Sequence, residues 1–146
     1  MAHSNPGDQE LRQLLTDAAV IAMVGASSNP EKESHRIMRK LQHAGYRVIP
    51  VNPKESEILG ERAYASLLDV PERIDIVDVF RRAEDTPAIA DEAVTIGAKA
   101  LWLQVGIVSE AAAERAKRGG LIVVMNRCIG ATHSLLQVPR KAATHA

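Results

Sequence analysis

The residue types best suited to chemistry fall in one stretch, Gly25-Ala26-Ser27-Ser28-Asn29-Pro30-Glu31-Lys32, directly after the apolar run Val20 to Val24. A small-residue turn between a strand and a helix start leaves backbone N–H groups unpaired, and the helix dipole adds positive potential there. Together they suit an anion, phosphate above all. Ser27 and Ser28 add hydroxyl donors, Pro30 pre-sets the first turn and Lys32 brings a cation. The plainer reading of Gly25 is that glycine lets strand and helix pack closely. The stretch is not the dinucleotide fingerprint, which needs three glycines where only Gly25 stands. Nor does the second apolar run end in the acid that grips the NAD ribose: Val51 leads into Asn52-Pro53-Lys54. No nucleoside-triphosphate P-loop occurs anywhere.

Other chemistry-bearing residues assemble no catalytic site. Cys128 could meet a thiol ligand or act as a redox switch, but a free cysteine is more often a small buried hydrophobe, and that is the expectation. His133 has no acid or nucleophile at a recognised spacing, and a general base needs an oriented partner. The five histidines and Cys128 show no metal-ligand spacing, so no metal is expected. Arg36, Arg39, Lys40, Arg81 and Arg82 alternate with acids, and aromatics make up only 3% of the chain, which leaves no stacking platform for nucleic acid. Trp102, in mid-strand, reads as core.

The elements that must position the first loop follow from periodicity. Val20 to Val24, Arg47 to Val51, Ile74 to Phe80, Ala98 to Leu103 and Leu121 to Met125 are short apolar runs that read as strands buried on both faces of a parallel sheet. Between them lie amphipathic stretches. Ile37, Met38, Leu41 and Ala44 make one helix face, stopped by Gly45. Ile89, Ala93 and Ile96 make a second before Gly97, and Ser109 caps a third that ends at Gly119-Gly120. A short turn near Ser66 to Asp69 and a leading helix over Leu11 to Asp17 complete the pattern. Strand and helix in alternation give an α/β fold: a three-layer, Rossmann-like, doubly wound sheet of about five mainly parallel strands with helices on both faces. Ligands bind such sheets beyond the carboxyl ends of the strands. The loops there are Gly25 to Lys32, Asn52 to Lys54, Phe80 to Arg82, Gln104 to Ser109 and Asn126 to His133.

The chain of 146 residues, 46% hydrophobic, is sized for one domain, with a core over about 11–138 and a flexible polar N-terminus and C-terminal tail. Lys plus Arg and Asp plus Glu balance at 18 each, so no overall field draws it to nucleic acid or an anionic membrane. No apolar run approaches the roughly 20 residues of a membrane span. The polar start lacks the layout of a secretory signal, and one cysteine forms no internal disulfide, so a cytoplasmic location is expected.

Five blocks in order carry a family likeness: Val24-Gly25-Ala26-Ser27 with Pro30 and Lys32; Gly45-Tyr46-Arg47-Val48-Ile49-Pro50-Val51-Asn52-Pro53; Ile74-Asp75-Ile76-Val77-Asp78-Val79-Phe80-Arg81; Leu101-Trp102-Leu103-Gln104-Val105-Gly106; and Arg127-Cys128-Ile129. Over Val20 to Leu136 the chain resembles the small stand-alone CoA-binding protein family, and its fold is similar to the N-terminal domain of the succinyl-CoA synthetase α subunit. The resemblance implies non-catalytic binding of coenzyme A or an acyl-CoA. Gly25, Ala26, Ser27, Ser28 and Lys32 would face the phosphates, Asn52 and Pro53 would border the adenosine, and Phe80 and Arg81 would flank the nucleotide. Leu103, Gln104, Val105 and Gly106 would lie along the pantetheine. The chain departs from the family pattern at Asn126, where an Asp is common, and in Gly130-Ala131-Thr132-His133, where a Glu commonly precedes the His. Two alternatives stay open: a component of an acyl-CoA synthetase acting with a separate partner chain, or a binder of another nucleotide such as NAD. A homodimer is a further possible assembly.

Overall fold

The computed structural model describes residues 2–142. Helix α1 (Asp8–Asp17), strand β1 (Val20–Val24), helix α2 (Glu33–His43) and strand β2 (Arg47–Val51) lead into two short strands, β3 (Glu57–Ile58) and β4 (Glu61–Arg62). Strand β5 (Ile76–Val79), helix α3 (Thr86–Thr95), strand β6 (Ala100–Leu103), helix α4 (Glu110–Arg118), strand β7 (Ile122–Val124) and helix α5 (Ile129–Leu135) follow. Five strands form one parallel sheet in the order β2-β1-β5-β6-β7, while β3 and β4 pair antiparallel as a separate hairpin. The architecture is the expected α/β Rossmann-like one. Among the described residues no helix is long and apolar enough to cross a membrane.

Side-chain alternation along the strands sorts the core into two faces. On one, Ile21, Met23, Ile76 and Trp102 meet Leu11 and Leu15 of α1, Met38 and Leu41 of α2, and Ile129 of α5. On the other, Ala22, Val77, Leu101 and Leu103 meet Ala90 and Ala93 of α3 and Ala112, Ala113 and Ala116 of α4. The alanines let α3 and α4 lie close to the sheet and to each other. Ser109 caps α4 as its position predicts, its Oγ accepting from the Ala112 amide at 3.1 Å. Trp102 is fully buried, and its indole N–H donates to the Arg127 carbonyl at 2.9 Å.

The structure departs from the sequence reading in three places. The segment read as a loop from Asn126 to His133 contains most of α5. Its Gly, Thr and Ser are poor helix formers, so packing rather than propensity makes it. Gly130 sits against Ile37 of α2, whose Cδ1 lies 3.1 Å from where a Cβ would be. The β3–β4 hairpin has strands too short to show alternation. Cys128 is only partly buried and precedes α5, its Sγ accepting from the Ala131 amide at 3.4 Å. Residues near both ends of the described stretch also make backbone contacts. Asn5 exchanges two hydrogen bonds with the Met125 backbone, each 2.9 Å, and the Lys141 amide donates to the Ala44 carbonyl at 2.8 Å. Residues 143–146 of the tail lie outside the described residues.

The α1/α2/α5 face also buries polar groups. Asp78 of β5 is wholly enclosed between Met23 and Trp102 of the neighbouring strands, and neither carboxyl oxygen has a partner among the described residues. Burial pushes its carboxyl well above the usual range. Tyr46 donates its hydroxyl to the Leu15 carbonyl, and burial raises its phenol. His133 meets the Tyr46 ring edge-on at 5.7 Å. Burial, then Lys40 and Lys141, hold it below the ordinary histidine range.

Candidate functional site

The strand order fixes where a ligand can enter. From β1 the chain turns out to β2 on one side, then crosses back to β5 on the other, so the loops after β1 and β5 diverge and leave a crevice at the carboxyl ends. Gly25 and Phe80 stand at that point. Gly25 adopts φ +90°, and a Cβ there would be pressed onto the Phe80 carbonyl oxygen. The glycine is therefore required by the backbone and by this close approach, whatever else the loop does. The Phe80 amide donates to the Val24 carbonyl at 2.8 Å and keeps the two strand ends together.

The first loop is braced from inside and outside. Ser27 Oγ accepts from the Asn29 amide and Asn29 Oδ1 from the Glu31 amide, both at 3.0 Å. Asn52, at the end of β2, donates its Nδ2 to the Ala26 carbonyl at 2.8 Å, while its Oδ1 accepts from the Lys54 amide at 2.9 Å. His35 Nδ1 lies 2.9 Å from the Ser27 carbonyl, which can only accept, so the proton is on Nδ1. Among the described residues the Ala26 and Ser27 amides donate to no protein acceptor. Ser28 donates both its amide and its hydroxyl to Glu55 Oε2, at 3.0 and 2.8 Å. Those two bonds, the amide's first, hold the Glu55 carboxyl below its ordinary range. Lys32 is the exposed cap residue of α2 and forms no ion pair among the described residues.

Two cavities of similar size flank this loop. One, of about 420 Å³, is lined by Glu33, Phe80, Arg81, Arg82, Gln104, Val105, Ile107 and Cys128. The other, of about 430 Å³, lies on the α3 side and takes in Val24, Val51, Pro53, Ser66, Leu67, Arg81, Glu84, Asp85 and Glu92. Arg81 belongs to both walls and is tied to Asp85 at 3.2 Å. Glu92 is raised first by burial and then by the Asp69 charge, which makes the second cavity a poor place for a further negative group. In the first cavity Gln104 is buried and its Oε1 accepts from the Ile129 amide at 3.1 Å, coupling the end of β6 to α5.

Most residues singled out from sequence stand at this end of the sheet, with different duties. Phe80, Arg81, Gln104 and Val105 line the first cavity, and Pro53 with Arg81 lines the second. Gly25, Ala26, Ser27, Ser28, Lys32 and Asn52 build the loop between them. Leu103 is fully buried in the α3/α4 core and lines neither cavity. Gly106 also lines neither: it has φ +84°, and its amide donates to Asn126 Oδ1 at 2.8 Å. Asn126 itself has φ +62°, a conformation that Asn and Asp tolerate best among side-chain-bearing residues, so an amide serves there without a carboxylate. Sequence reasoning missed Glu55, whose partner is 27 positions away, and the cavity positions of Glu33 and Cys128. Glu33, in the first turn of α2, and Cys128, in the loop after the last strand, had a positional signal; Glu55 had none.

Comparison with known proteins adds the following. The family model described as CoA binding domain matches residues 19–134. The uncharacterized protein YneT of Bacillus subtilis (strain 168) is 40% identical over 131 residues, covering 90% of this chain and 97% of that protein. Acetate--CoA ligase [ADP-forming] I of Archaeoglobus fulgidus is 30% identical over 121 residues, which is 76% of this chain but only 18% of the ligase. Among solved structures, a hypothetical protein from Pyrococcus horikoshii OT3 superposes with a TM-score of 0.88 at 38% identity, covering 94% of this chain and 99% of that one. The apo form of a dinucleotide forming acetyl-coenzyme A synthetase from Ca. Korarchaeum cryptofilum superposes with a TM-score of 0.69 at 28% identity, covering 80% of this chain and 28% of that one.

Proposed function

The chain belongs to the CoA-binding-domain family, and from that premise we propose that it binds coenzyme A or an acyl thioester of it without catalysing a reaction of its own. The observation that carries the reading is the pair of cavities sharing the Arg81 wall beside a braced loop whose Ala26 and Ser27 amides have no protein acceptor among the described residues. CoA is a two-part ligand, a nucleotide joined through a diphosphate to a long, mainly uncharged thiol arm. In this reading the diphosphate lies on Gly25 to Ser28, with Lys32 and Arg81 as counter-charges. The second cavity, acid-rich and bordered by Pro53, suits the uncharged adenine base, whose amino group donates hydrogen bonds, with the 3′-phosphate of the ribose kept outside it. The first, with Phe80, Val105, Ile107 and Cys128 for apolar contact and Gln104 for an amide, suits the pantetheine arm. Leu103 and Gly106 then act indirectly, by packing beneath that arm and by shaping the loop at its side.

A thermal-shift titration with CoA, acetyl-CoA, NAD and ATP tests this, because a ligand that binds only the native state adds about 2.7 kcal/mol at one hundred times its Kd. A rise of several degrees with the CoA species alone is expected. A larger rise with NAD would replace the reading by its nucleotide alternative. The acetate--CoA ligase relatives support a second reading, a synthetase component that works with a separate partner chain, since this chain spans under a fifth of the first such ligase. Under it the protein alone binds CoA but forms no thioester until the partner chain is added. A homodimer is the other assembly this site allows, and light scattering of the purified protein separates the two.

A further inference from the structure

Glu55 stands apart from the rest of the crevice because it is an anion already seated on the donors of the first loop. We propose that it is an intramolecular competitor for the ligand's phosphate, holding Ser28 in the free protein and leaving when a phosphate takes its place. The inference rests on the CoA reading above and deepens it by naming the residue that sets the affinity of the phosphate position.

Ser28 presents its amide and its hydroxyl to a single acceptor atom, Glu55 Oε2, at 3.0 and 2.8 Å. Two donors converging on one oxygen is how a loop grips a phosphate oxygen as well as a carboxylate. The contact is open to solvent, but the turn that carries Glu55 is tied to the first loop. Asn52 donates to the Ala26 carbonyl from the side of β2, accepts from the Lys54 amide, and takes the Glu55 amide on its own carbonyl at 3.3 Å. One residue thus fixes the turn that carries Glu55 against the loop that carries Ser28. The pair spans 27 positions of sequence and joins the loops that follow β1 and β2 at the carboxyl end of the sheet. The lowered Glu55 carboxyl agrees with a charge held by these bonds.

A phosphate and a carboxylate cannot both sit within hydrogen-bond distance of the same two donors, because like charges at that separation repel. Binding therefore requires Glu55 to withdraw. The apparent affinity is the intrinsic one reduced by the fraction of molecules in which Ser28 is free. Removing the charge raises that fraction and should tighten the complex, the opposite of what loss of a supporting residue does.

Calorimetric titration of CoA into the wild type, Glu55→Gln and Glu55→Ala is the test, paired with amide NMR spectra of each with and without CoA. Both variants are expected to bind CoA about three- to tenfold more tightly. The Ser28 amide resonance should differ between wild type and Glu55→Gln in the free proteins and converge at saturating CoA, once the carboxylate has left. Unchanged or weaker binding in both variants, or a Ser28 difference that persists in the complexes, overturns the inference. A folded wild type that binds no CoA overturns the functional reading itself, so the two failures are distinct.

Discussion

The two faces of the sheet are built on different terms. Under α3 and α4 the core is alanine against Val and Leu, with polar side chains kept away from its middle. Under α1, α2 and α5 the same sheet buries Asp78, Tyr46 and His133, and α5 is a helix that its own sequence scarcely favours. The first face is a surface for close packing and the second tolerates unsatisfied groups. Regular packing on one side lets the other side carry polar groups and an irregular, cavity-lining junction at Cys128. The contrast teaches that regular apolar packing and buried polar groups are divided across one sheet.

The largest expected effect tests the packed face. Leu101→Ala should cost about 2–5 kcal/mol in urea denaturation while leaving the CoA Kd of the folded protein unchanged. A loss well under 1 kcal/mol would end the contrast. Next comes the polar face, through pH. The Asp78 carboxyl is raised in the folded state, so the native protein keeps a proton that the unfolded chain releases above about pH 4. That contribution to stability falls as pH rises. His133 is depressed, so its contribution is full above about pH 6.5 and falls as pH drops through that value. Melting temperatures between pH 4 and 7 should therefore show Asp78→Asn gaining on the wild type as pH rises; a constant difference would mean that the carboxyl is not held neutral. The smallest effect concerns the wall common to both cavities. Arg81→Ala should weaken CoA binding about tenfold at low salt, less at high salt, with little change in melting temperature. Equal loss at both salt levels would leave Arg81 a packing residue only.

What the sequence made legible follows the same division. Strands β1 and β2 begin and end where the apolar runs do, and Ser109 and Gly119 bound α4 as capping chemistry requires, because the α3/α4 side uses local rules. The other side depends on contacts remote in sequence. Helix α5 exists because Gly130 lies on Ile37, and Cys128 reaches a cavity because that helix starts beside it, neither of which periodicity encodes. At the crevice, Gly25 and Asn52 were recognisable from type and position. Glu55 was not, since nothing in Lys54-Glu55-Ser56 signals a partner in the first loop.

The docking of Asn5 onto Met125 bears on how the sheet meets other chains. Asn5 offers an acceptor and a donor to the Met125 amide and carbonyl just past β7, as a neighbouring strand would. At the opposite margin Tyr64 makes a one-residue parallel bridge to Val51, its amide and carbonyl bonded to Pro50 and Asn52, while Pro50 has no N–H to offer. Both margins are thus blunted at their carboxyl ends by single residues. Strand-to-strand addition, the usual route from an open α/β sheet to aggregation, is impeded at the end of the molecule where the crevice opens.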